Sequence, residues 1–259
     1  MTIPMLLEYQ LADGVRAFST TRQGGVSEGT FASFNINAYC GDDPACISAN
    51  KAILATHLGL PESAVLMPHQ VHGLQHVCIE EGFFSMPVEE QAVLLEGVDI
   101  IMTPLRKVCV GVSTADCVPV LLYDETAGVV AAVHAGWRGT VARVACQALR
   151  VMEERYRVEP SRVVAAIGPC ISLRAFEVGD EVYERFKEEG FDMSTIARRF
   201  EKWHIDLPEC NRQQLVTMGV REENIQLCGI CTYTDYQEYF SARRLGKASG
   251  RIYSGIFRL

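Results

Sequence analysis

The chain has 259 residues, of which 48% are hydrophobic and 22% are charged, as in an ordinary globular protein. A mixed α/β chain of this length often folds as one unit, so we predict a single domain over residues 1–259. The net charge of -8 argues against a protein that binds nucleic acid or an anionic membrane surface non-specifically.

The N-terminal segment and the cysteines together predict a cytoplasmic location. Residues 1–8 carry no basic region and only a short apolar stretch, unlike a secretory signal. The sequence contains no run of the roughly 18 apolar residues that a membrane span requires. The ten cysteines are therefore expected to be reduced thiols.

The hydrophobic pattern predicts strands that alternate with a few helices. In the N-terminal part we predict a strand at 15–20, a helix at 50–58 that ends at Gly59 and Pro61, and strands at 76–79 and 98–102. Three continuous apolar runs of strand length follow, at 108–112, 118–123 and 128–133. Such runs are typical of a sheet that is covered on both faces.

The C-terminal part mixes helices and strands in the same way. The predicted elements are an amphipathic helix at 140–155, a strand at 162–167, helices at 180–189 and 210–218, and strands at 225–232 and 251–258. This order favours an α+β fold, a single-domain mixed-sheet α/β sandwich. Ligand sites in such folds usually lie where strands end.

Three candidate metal ligands, His72, Cys117 and His134, each follow or end an apolar run in a segment rich in Gly, Asp or Arg. Two imidazoles and a thiolate suit Zn²⁺, and three protein ligands leave a fourth position for water or substrate. A structural zinc module would normally use tight local pairs, so we predict a catalytic metal site at the strand ends. A lone histidine after a strand is more often simply hydrogen-bonded, so the prediction depends on all three converging.

Arginines beside glycines are candidates for binding an anion. Arg138 follows Gly136 at a predicted helix start, where backbone N–H groups and a guanidinium fork favour a phosphate. Arg22, next to Gly24 and Gly25, could form a second anion-binding concavity. For each segment alone, a plain helix start or a glycine turn is the simpler interpretation.

The motifs resemble those of the laccase-domain family, and the chain is similar to bacterial counterparts of the human laccase-domain-containing protein. The most specific pieces are Thr114-Ala115-Asp116-Cys117 and His134-Ala135-Gly136-Trp137-Arg138-Gly139. Other matching segments extend the resemblance over nearly the whole chain, at 19–27, 41–43, 70–73, 167–171, 231–232 and 240–244.

The resemblance implies a purine nucleoside phosphorylase that converts adenosine, inosine or guanosine and phosphate into free base and ribose 1-phosphate. It also implies adenosine deaminase and methylthioadenosine phosphorylase activity, and metal ligands at His72, Cys117 and His134. The metal would be Zn²⁺, with Cu²⁺ as the alternative, and a homodimer is an open expectation. We predict that Arg138, with Arg22 or Arg243, orients the phosphate, and that Asp116 protonates the leaving base.

Three other functions remain open from the sequence. A copper-dependent polyphenol oxidase is one, although the six scattered histidines are few for a coupled copper cluster. A Cys-His hydrolase or deamidase with Cys117 as nucleophile is the second. The third is a metal-binding protein without catalytic activity.

Overall fold

The structure is a computed structural model that describes residues 3–259. The strands are β1 Leu6–Tyr9, β2 Val15–Thr20, β3 Val65–Leu66, β4 His76–Cys78, β5 Ile100–Thr103, β6 Cys109–Thr114, β7 Val118–Asp124, β8 Val129–Ala135, β9 Val164–Ile167, β10 Glu177–Val178, β11 Ala197–Arg199, β12 Trp203–Ile205, β13 Ile225–Leu227 and β14 Ile252–Arg258. The helices are α1 Pro44–Leu58, α2 Val88–Leu94, α3 Trp137–Val141, α4 Val144–Tyr156, α5 Asp180–Glu188, α6 Met193–Ile196, α7 Leu207–Thr217 and α8 Ala242–Leu245.

Two large mixed sheets form the centre of the fold. One has five strands in the order β1-β2-β14-β6-β3, and the other has six in the order β13-β9-β7-β8-β5-β4. A small third sheet has the order β10-β12-β11. The mixed-sheet α/β sandwich predicted from the sequence is confirmed.

The burial pattern of β7 shows how the layers stack. Successive side chains of a strand point to opposite faces, so Leu121 and Tyr123 pack between the two large sheets. Val120 and Leu122 face the other way, toward α4. The outer face of the five-stranded sheet is covered by α1. Both faces of each large sheet are therefore buried, which explains the continuous apolar runs in the sequence.

Three predicted elements differ most in extent from those observed. The helix predicted at 140–155 is two helices, α3 and α4, because Arg143 between them has a left-handed φ of 61°, which ends the helical conformation. Helix α1 begins six residues earlier than predicted, with Asp43 accepting a hydrogen bond from the Ala45 amide and Pro44 in the first turn. The strand predicted at 225–232 ends at Leu227.

The connection between β6 and β7 is one of those that pass from one large sheet to the other. This connection, residues 115–117, carries Cys117 and leads from the five-stranded sheet to the six-stranded one.

Among the helices within residues 3–259, none combines the length and the apolar character that crossing a bilayer demands.

Candidate metal centre

The three predicted ligands converge where the central strands β7 and β8 of the six-stranded sheet end. His134 lies in β8, whose register pairs Pro119 with His134 and thereby places Cys117, just before β7, beside it. His72 comes from the turn between β3 and β4. The candidate donor atoms of the three side chains all lie within 4.8 Å of one another, and Cys117 Sγ is 3.9 Å from His72 Nε2.

Asp99, which the sequence analysis missed, orients two of these ligands. Its fully buried carboxylate accepts a hydrogen bond of 2.6 Å from His134 Nδ1. It also accepts hydrogen bonds from the backbone amides of Val71, His72 and Gly73. The proton on Nδ1 leaves His134 Nε2 as the donor to a metal, which is the usual carboxylate–histidine arrangement of metal sites.

The charges at the site favour a thiolate. Burial raises the pKa of Cys117, but the neighbouring His134 and His72 outweigh burial and lower the pKa from 9.0 to about 6. Burial lowers the pKa of His134, and Cys117 and Asp99 reverse that effect and raise it. The two imidazoles therefore favour the thiolate of Cys117, the form in which cysteine binds metals.

The space around the donors fits a metal. Gly136 lies so close that a Cβ atom at this position would be 2.7 Å from His72 Cδ2 and 3.1 Å from Cys117 Sγ. Glycine therefore leaves room for both donors to face the same point. Two imidazoles and one thiolate around that point are a donor set typical of Zn²⁺, with one position left open.

The backbone at the site adopts conformations that are uncommon for residues other than glycine. His72 has φ of 65° and Asp116 has φ of 87°, both in the left-handed region. At His72 the conformation is supported by Asp99, whose carboxylate accepts hydrogen bonds from the backbone amides of Val71 and Gly73 on either side. Such backbone conformations cluster at functional sites, where the surrounding structure must hold them.

A cavity of about 510 Å³ opens over the three ligands and carries basic residues on its wall. Arg138, a candidate phosphate ligand from the sequence, lines it, together with Lys247 and Arg251, which the sequence analysis missed. Within residues 3–259, Arg138 and Lys247 form no salt bridge. Their charges are therefore available to an anionic ligand.

Two other predicted phosphate ligands are engaged elsewhere. Arg22 donates hydrogen bonds to the carbonyls of Ala32 and Tyr236 and lies over the Phe240 ring. The Arg243 guanidinium donates to the Glu177 carbonyl. In the described part of the chain, neither lies among the residues that line the cavity.

Asp116 binds the C-terminal segment. Its carboxylate accepts hydrogen bonds from Thr232 Oγ1 at 2.7 Å, Ser241 Oγ at 2.6 Å and the Arg243 amide at 2.7 Å. All three groups donate to the carboxylate, which gives Asp116 a positioning role. The transfer of a proton to a leaving base stays a prediction.

The family profile described as multi-copper polyphenol oxidoreductase laccase matches residues 16–259. The chain belongs to this laccase-domain family. A relative from Bacteroides thetaiotaomicron named purine nucleoside phosphorylase is 46% identical over 242 residues, which are 92% of this chain and 90% of the relative. Adenosine deaminase RL5, from an unknown prokaryotic organism, is 43% identical over 251 residues, 95% of each chain.

Solved structures of the family share the fold. The crystal structure of the hypothetical protein YfiH from Bacillus licheniformis superimposes with a TM-score of 0.91 at 26% identity, covering 99% of this chain and 97% of that one. The curated relatives are named as nucleoside-processing enzymes. This chain is an enzyme of the same family.

Proposed function

We propose that the chain is a purine nucleoside phosphorylase that acts on adenosine, inosine and guanosine, with adenosine deaminase and methylthioadenosine phosphorylase activity. The observation that carries the proposal is the single cavity that His72, Cys117 and His134 line together with Arg138 and Lys247. A set of candidate metal ligands and free basic groups in one cavity suit a reaction that joins a substrate to phosphate. The names of the relatives supply the substrate class.

Zinc is the metal that we assign to the three ligands. A bound zinc would polarise an oxygen of substrate or water and, for deamination, lower the pKa of that water. Asp99 keeps the imidazole of His134 in the orientation and tautomer that binding requires. Gly136 keeps the approach to His72 and Cys117 free of a side chain.

The basic wall is the proposed binding site for phosphate. Arg138 is exposed and lies over the Trp137 ring, with its Cζ 4.3 Å from the ring centroid. Arg251 folds back on its own loop, donating to the carbonyls of Ser249, Gly250 and Lys247, and so shapes the segment that carries Lys247. These groups would hold phosphate against the ribose C1′.

Phosphorolysis forms a bond between a phosphate oxygen and C1′ and breaks the bond between C1′ and the base nitrogen. The electron pair leaves with the base, which takes up a proton. Asp116 would position the C-terminal segment by accepting hydrogen bonds from Ser241 and the Arg243 amide. Arg22 would position it by donating to the Tyr236 carbonyl. This segment contributes Lys247 and Arg251 to the cavity wall. Direct phosphate binding by Arg22 and Arg243 stays a prediction.

The first experiment compares the purified protein with its Cys117→Ala variant. Both are analysed for metal and incubated with adenosine or inosine, with and without phosphate, and the products are identified by mass. We expect phosphate-dependent ribose 1-phosphate from the wild type, and loss of this product together with about one zinc in the variant. Cys46→Ala, which removes another half-buried thiol on α1, should keep both.

Bound zinc without product from any nucleoside would overturn the proposal. A hydrolase or deamidase with Cys117 as nucleophile is the second candidate, because the thiol has a lowered pKa and lies near His72. It predicts covalent labelling of Cys117 during turnover and activity that survives a chelator. The phosphorylase proposal predicts that activity is lost when a chelator removes the metal.

A further inference from the structure

An aromatic pair lies at the wall of the metal cavity. The rings of Tyr39 and His69 are stacked, with centroids 4.1 Å apart and an angle of 19° between their planes. Both side chains line the cavity that contains His72, Cys117 and His134. Tyr39 is 53% exposed even though one face of its ring is covered by His69. The opposite face is therefore open to a ligand.

His69 is held firmly as the support of this pair. Its Nδ1 donates a hydrogen bond of 2.6 Å to Glu96 Oε1. Its backbone amide donates to the Leu95 carbonyl, and its carbonyl accepts from the Val98 amide. The imidazole therefore cannot turn away from Tyr39 without breaking the contact with Glu96.

The turn that carries Tyr39 is also fixed. The Tyr39 amide donates to Asn37 Oδ1 at 2.7 Å, and Asn37 Nδ2 donates to Ser113 Oγ in β6. Gln70, next to His69, donates to the Ser113 carbonyl and accepts from its amide. The two segments are therefore joined to the same residue of the sheet, which orients both rings before any ligand binds.

We propose that the open face of Tyr39, supported by His69, binds the purine base of the substrate by stacking. This inference rests on the proposed function, since it names the base-binding side of the same cavity. Stacking on an aromatic ring accepts every base, because every base has a π-face. A platform of this kind explains how one cavity accommodates adenine, hypoxanthine and guanine. The basic wall then receives the phosphate.

The test measures binding of inosine to the zinc-loaded protein by calorimetry in phosphate-free buffer, where phosphorolysis cannot consume it. Tyr39→Ala should weaken binding about tenfold or more, the usual loss when a stacked aromatic is truncated. Tyr39→Phe, which keeps the ring, should restore most of the affinity. With phosphate present, Tyr39→Ala should raise KM for inosine far more than it lowers kcat.

A matched control is Phe200→Ala, away from the metal cavity. Phe200 is 54% exposed and also packs against a histidine, His204, with centroids 4.9 Å apart. This substitution should leave the affinity for inosine unchanged, and the zinc content should stay the same in every variant. Equal losses for Phe200→Ala and Tyr39→Ala would show a general effect of removing a surface ring and would overturn the stacking proposal.

The outcomes separate this proposal from the proposed function. If Tyr39→Ala binds inosine as tightly as the wild type while the wild type releases ribose 1-phosphate, stacking on Tyr39 is overturned and the function stands. If Tyr39→Ala weakens binding but no variant forms product with phosphate, stacking stands and the phosphorylase proposal falls. If the wild type does not bind inosine at all, both are overturned.

Discussion

Two buried aspartates flank the candidate metal ligands, and they organise different parts of the site. Asp99 accepts hydrogen bonds from His134 and from the amides of residues 71–73, so all its partners are ligands or their neighbours. Asp116 is adjacent to Cys117 in sequence, yet its partners Thr232, Ser241 and Arg243 belong to the C-terminal segment. Metal affinity and the shape of the cavity wall therefore depend on separate carboxylates, and mutations should separate them.

The largest effect is expected for Asp99→Ala. Outer-shell carboxylates of this kind contribute about 10- to 100-fold to metal affinity, so zinc binding should weaken by that factor in competition titrations with a chromogenic chelator. Asp116→Ala is the matched control and should stay within about threefold of the wild type, since its carboxylate accepts hydrogen bonds from Thr232, Ser241 and the Arg243 amide rather than from a candidate ligand. Equal losses of zinc affinity in the two variants would show that the two carboxylates do not have separate roles.

Asp116→Ala should instead lower the free energy of unfolding by about 2 kcal/mol, because it leaves the buried donors Thr232 Oγ1 and Ser241 Oγ without their acceptor. Urea unfolding of the zinc-loaded protein measures the change. Thr232→Ala, which removes a single donor, should cost about 1 kcal/mol. A cost for Asp116→Ala no greater than that of Thr232→Ala would show that the carboxylate does not anchor the segment.

A smaller effect on the metal is expected for Gly136→Ala. The added methyl group would press against His72 and Cys117, and we expect a loss of about tenfold in zinc affinity, equivalent to about 1.4 kcal/mol. Gly73→Ala is the control at the neighbouring turn, where the new Cβ would lie at an ordinary 3.5 Å from Asp99 Oδ2. Unchanged zinc affinity in Gly136→Ala would mean that the donors have more room than the structure indicates.

There is a physical reason why some site residues could be predicted from the sequence and others could not. His72, Cys117 and His134 are chemically distinctive and stand where apolar runs end, so residue type and position sufficed to select them. Asp99 lies inside an apolar run before β5, and a carboxylate in such a run must be paired when it is buried, which is itself a sign of a functional site. Lys247 and Arg251 carried no local signal, because only β14 brings their loop to the cavity.

The fold was predictable to a similar degree. Continuous apolar runs identified β6, β7 and β8, since strands covered on both faces leave that pattern. Short elements such as β10 to β12 were missed, because two or three residues are too few to show a period. The break between α3 and α4 depends on the left-handed backbone of Arg143, which a periodic pattern does not record.

Strand β14 follows every other described strand in the sequence, yet it occupies the middle of the five-stranded sheet, between β2 and β6. During synthesis both neighbours leave the ribosome long before the strand that joins them. Until then β2 and β6 have unpaired edges, and such edges invite wrong pairing. Arg251, which lines the cavity, immediately precedes this strand. A partly synthesised chain can therefore contain all three candidate metal donors and still lack Arg251 and the strand that follows it.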